Sequence, residues 1–103
     1  MSRKPYKQLY HGKGISKTVY GSKPMRWFPR TNIDTYNADT GRFRSRRKFG
    51  IDGWAYKDLD TPDNHKPYDH VHDIQKGRRS PDRKPTKQEC EEFEKAKKKR
   101  RFL

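Results

Sequence analysis

The chain has 103 residues, of which 27% are hydrophobic and 39% charged, so one small core is its ceiling. A formal net charge of +14 points to a polyanionic partner: nucleic acid first, an anionic membrane second, an acidic protein third. No apolar run is long enough to span or insert into a bilayer, which sets the membrane aside. An aromatic content of 13% argues against full disorder, because each ring buries a large area when packed.

Met1 is not followed by an apolar stretch, so no secretory signal is expected. The site of action is then cytoplasmic, with export only as part of a larger system. Residues 1–14 read as a flexible basic arm ending in Tyr10-His11-Gly12-Lys13-Gly14. His11 looks incidental there, although the glycines would let the arm fold over a site. Ile15 to Tyr20 favours a short strand, and Gly21 to Pro24 a turn. Trp27 and Phe28 are expected in the core, because a chain with so few aliphatics needs its rings inside.

Thr31 to Tyr36 and Arg42 to Phe49 read as a hairpin around a loop ending in Gly41. Strict alternation puts Arg42, Arg44, Arg46 and Lys48 on one face of the second strand, a cationic ladder suited to nucleic acid. Phe43, Ser45, Arg47 and Phe49 take the other face. Asp52-Gly53 signals a turn, and Trp54 to Leu59 a third strand, giving a meander over residues 31–60. Tyr68 to Ile74 favours a short strand with His70 and His72 on one face. Residues 77–84 read as a basic loop.

Thr86-Lys87-Gln88-Glu89 fits a capping box, so a helix begins after Pro85. Acidic residues early and Lys97 to Arg101 late suit the helix dipole. Cys90, Phe93 and Ala96 form its apolar stripe. As the lone cysteine, Cys90 excludes an internal disulfide. The expected architecture is α+β: a small three- to four-stranded antiparallel sheet, one C-terminal helix, and basic, partly disordered ends. Its parts are the arm 1–14, a β-rich domain 15–85, and the helix with its basic tail 86–103.

Charge is not spread evenly along this chain. Residues 1–50 carry thirteen Lys/Arg against two Asp, a net +11. Residues 51–75 carry two Lys against six Asp, a net −4, and residues 76–103 return to +7. Within the acidic stretch, residues 58–73 hold five aspartates and three of the four histidines.

Several chemistries fit this island. His65, His70 and His72, with Asp69, are candidate metal ligands, since a His-x-His pair on a strand presents two imidazoles to one side. Alternatively, His65, His70 and His72, with Asp60, work as general acid and base without a metal, because histidine ordinarily titrates near neutrality. Arg44 or Arg46 would then offset charge developing on a phosphate. The cofactor is accordingly none or a divalent metal. A His-Asn-His metal finger fits poorly, because no His and no Asn follow position 72. The plain alternative is a solvated acidic loop offsetting a basic surface.

Gly41-Arg42-Phe43, Gly53 before an aromatic strand, Asp58-Leu59-Asp60, His65 and His70-x-His72 together resemble a known group. Residues 41–74 are similar to the C-terminal toxin domains of bacterial polymorphic toxins, such as LXG-type effectors and related phage-borne proteins. The resemblance implies a small toxin domain, a nuclease, neutralised by an acidic immunity protein. Asp69 stands where a proline would precede the His-x-His, and Asp73 follows it. The function expected is nucleic-acid cleavage, RNA favoured. The alternative is a non-catalytic nucleic-acid-binding protein of a phage or mobile element, or one with a structural metal site.

Overall fold

The computed structural model describes residues 7–12, 15–20, 23–37, 40–62 and 66–99. Among these residues, seven strands form one sheet: β1 (Lys7–Gly12), β2 (Ile15–Tyr20), β3 (Asn32–Asn37), β4 (Phe43–Phe49), β5 (Ala55–Asp60), β6 (His70–Gln75) and β7 (Arg78–Arg79). Their order is β2-β1-β3-β4-β5-β6-β7, and every pairing is antiparallel. One helix, α1 (Lys87–Lys97), follows. The class is α+β, as composition and patterning predict, with more strands than the expected three or four.

The extra strands have physical causes. Part of the expected arm, Lys7–Gly12, is strand β1 and pairs with both β2 and β3. It supplies partners for the backbone groups that β3 would otherwise leave open along its edge. His11 therefore lies opposite Asp34, with β3, β4 and β5 between it and β6. On the other side, the expected basic loop after residue 77 is instead a hairpin return. Lys76 and Gly77 have φ of 46° and 83°, and Gln75 pairs with Arg78. Two consecutive left-handed residues make the tight turn whose twist suits a two-residue hairpin.

Two bulges decide which side each residue of the meander faces. Thr35 sits opposite Ser45, but Tyr36 sits opposite Phe43, so Arg44 is an extra residue in β4. Lys48 sits opposite Lys57, but Phe49 opposite Ala55, so Tyr56 is extra in β5. Each extra residue reverses the alternation beyond it. Phe43 thus joins Tyr36, Leu59 and Val71 beneath Phe93 and Ala96 of the helix. Ile33, Phe49, Ala55 and Ile74 form a second core on the opposite face, covered by Met25 and Trp27.

The helix is built as its sequence predicts at the start and differs along its stripe. Thr86 caps it, accepting from the Glu89 N–H, while the Glu89 carboxylate accepts from the Thr86 N–H. The buried positions are Glu89, Phe93 and Ala96, whereas Cys90 is exposed. The helix is turned towards Glu89 because Arg83 and Lys57 hold that carboxylate against the sheet. Phe28 also departs from expectation: it is exposed, with its ring edge-on to the half-buried Trp27.

Gly53 closes the turn between β4 and β5 at φ 80°, and its carbonyl accepts from the Trp27 N–H. A Cβ there would lie 2.8 Å from the Trp27 carbonyl oxygen. Gly53→Ala is therefore expected to lower stability by more than about 1 kcal/mol, measured by thermal melting. An unchanged melting temperature would mean that the 23–29 segment is not seated here.

Candidate functional site

Strands β4, β5 and β6 present two cross-strand rows on the face away from the helix. Ser45, Asp60 and His70 are in register, as are Arg47, Asp58 and His72. The second row rests on a buried ion pair. Arg47 Nε and Nη2 donate to the two Asp58 oxygens at 2.8 Å, and Asp58 is 1% exposed. Arg47 Nη1 also donates to the carbonyls of Lys23 and Pro24, which close this face. Burial pushes the Asp58 carboxyl up, but the Arg47 bond and the charges of Lys23, Arg47 and Arg79 outweigh it, leaving the group below the usual range.

The histidines are fixed by their backbone partners. His70 Nδ1 donates to the Tyr68 carbonyl and His72 Nδ1 to the Ser80 carbonyl, each at 2.9 Å. Committing both Nδ1 hydrogens leaves both Nε2 atoms as the free ring positions. Each Nε2 lies 3.7 Å from the same oxygen, Asp60 Oδ2. The rings meet edge to face with centroids 5.1 Å apart. His70 is almost fully buried, and His72 and Asp60 are half-buried.

Cations close over the carboxylates. The hairpin turn brings Arg79 back so that Nη2 donates to Asp60 Oδ2 and Nε to Asp58 Oδ2. Lys23 reaches in from the other side and donates to Ser45 Oγ. Burial pushes its amine down to about 8, against the pull of Asp58 and Asp60. The result is a patch of two imidazoles, two carboxylates and three cations.

Only part of the predicted set is gathered here. His70, His72 and Asp60 converge, and His65 lies outside the described residues. Asp69, expected as a ligand, instead bonds Lys97 of the helix at 2.5 Å. The cationic ladder is corrected. Arg46 faces the helix, bonded to Asp34 at 2.7 Å and Glu92 at 2.8 Å, and Lys48 bonds the same Glu92 at 2.9 Å. Arg44 is the bulge residue, and Arg42 lies exposed just before the strand. The cations beside the histidines are Arg47, Arg79 and Lys23. Arg47 falls on its predicted face, and the Lys76-Gly77 pair is a turn signal that could have placed Arg79. Nothing local marks Lys23.

The chain matches no protein-family model, no curated protein and no solved structure. Among the described residues, no helix is long and apolar enough to cross a membrane.

Proposed function

We propose that the chain is a small toxin-like nuclease that cleaves RNA at the His70–His72 pair. The observation that carries this is the convergence of both free Nε2 positions on one carboxylate oxygen, with Arg79 bonded to that same carboxylate. His72, the more open ring, takes the proton of a ribose 2′-hydroxyl as that oxygen bonds to phosphorus. The phosphorus–5′-oxygen bond breaks, and protonated His70 gives its Nε2 proton to the leaving oxygen. Asp60 holds the two rings at working distance. Arg79 offsets charge gathering on the phosphate, the role that sequence alone would give Arg44 or Arg46. The +14 charge draws the polyanion in and suits an acidic immunity partner.

The test is degradation of a labelled RNA by purified protein, with circular dichroism to confirm folding of each variant. His72→Ala is expected to slow cleavage by about 10²–10⁴-fold, the usual worth of one positioned acid or base. Equal cleavage by the variant, or none by the wild type, sinks the enzymatic reading. A non-catalytic nucleic-acid binder is the second reading, favoured by the charge excess alone. It predicts binding that weakens steeply with salt and ignores His72→Ala.

A further inference from the structure

We infer that Asp60, His70 and His72 form a site for one divalent transition-metal ion of the zinc and cobalt type, and that its binding switches off cleavage. The three ligand atoms, two imidazole Nε2 and one carboxylate oxygen, lie within 4.8 Å of one another. A tetrahedral ion with bonds of about 2.1 Å needs its ligand atoms about 3.4 Å apart. Two of the three separations are already 3.7 Å. The third is no more than 4.8 Å.

The outer contacts are those a metal-binding histidine needs. Each Nδ1–H is held by a backbone carbonyl, of Tyr68 or Ser80, which fixes the tautomer and aims Nε2 inward. Asp58 lies beside the site with its charge already met by Arg47, so it adds no competing free anion. Three protein ligands leave a fourth position for water. One group stands in the way. Arg79 bonds the ligand oxygen of Asp60, so it must withdraw when the ion enters. Its side chain is 40% exposed, so water lies on its outer side to receive it.

The inhibitory half rests on the cleavage reading above. A metal on both Nε2 atoms removes the base and the acid together, since each needs that lone pair for a proton.

The experiment uses the full chain stripped with a chelator and titrated with cobalt(II), read by its visible absorption. One equivalent should give the bands of a low-coordinate nitrogen and oxygen site. His72→Ala and Asp60→Asn, each checked for folding by circular dichroism, should weaken binding by more than the roughly 10–100-fold lost with an outer contact. Arg79→Gln should tighten it, an outcome that a merely structural cluster would not produce. No bands at one equivalent, or bands unchanged in His72→Ala, overturn the site. Full RNA cleavage by the cobalt-saturated protein overturns the inhibitory half. Stoichiometric cobalt binding in a protein that never cleaves RNA, with or without chelator, supports the site and removes the nuclease.

Discussion

Asp58→Asn is expected to cost about 3–5 kcal/mol of folding stability, read as a lower urea midpoint with an unchanged slope. The magnitude follows from what is left behind. Asp58 is 1% exposed and accepts from Arg47 and Arg79, with the Lys23 charge also nearby. An amide keeps the shape but carries no charge. Three cations then face one another around a site where water enters poorly. Removing Arg47 should cost less, because Arg79 and Lys23 still face the carboxylate. Adding Lys23→Met to Asp58→Asn should recover part of the loss. A typical domain has only about 5–15 kcal/mol in all, so the single change is a large share. Equal losses for Asp58→Asn and Arg47→Met would show that the three cations do not act as one network.

Glu89→Gln should be nearly as damaging near neutrality, by about 3 kcal/mol, and progressively less so in acid. Glutamine still serves the capping box, so that part is retained. What disappears is the charge that binds Arg83 Nη1 at 2.7 Å, Arg83 Nη2 at 2.8 Å and Lys57 at 2.7 Å. The Arg83 bonds hold the Glu89 carboxyl well below its ordinary value of 4.5. Burial opposes them, and Lys57 and the Thr86 N–H add to them. A depressed carboxyl stabilises the fold fully above its unfolded value and loses that benefit as pH falls towards the folded one. The wild type and Glu89→Gln should therefore differ most above about pH 4.5 and converge below it. Urea unfolding at several pH values measures this. Parallel curves down to acid pH would place the helix anchor elsewhere.

These residues also show what was legible in the chain. The capping box could be read because it is local: Thr86 and Glu89 are three residues apart. The strands at 32–37, 43–49 and 55–60 were legible from β-formers set between turn signals. His70 and His72 share a face as alternation requires. The ladder departs from this rule in part. Period two holds only while pairing is regular, and the extra residue Arg44 reverses it before Arg46 and Lys48, which do share a face. Arg46 and Lys48 on that face meet carboxylates within the fold. Asp34 and Glu92, far away in sequence, bond Arg46, and no local pattern foretells that. Lys23 and Arg79 escaped notice for the same reason, since each is brought to the histidines by tertiary packing.

The ion pairs have a consequence for how the surface looks from outside. Among the described residues, eight acidic side chains engage a cation: Asp34, Asp58, Asp60, Asp69, Asp73, Asp82, Glu89 and Glu92. Several of these lie between the sheet and the helix or beneath the Arg79 hairpin. Other acids stay at the surface: Asp52, Glu91 and Glu94 are exposed, and the Asp73 side chain is 50% exposed. Each internal pair acts as a built-in salt, so the cation it holds answers first to the protein's own acids, and the outward charge is carried by the lysines and arginines left outside these pairs.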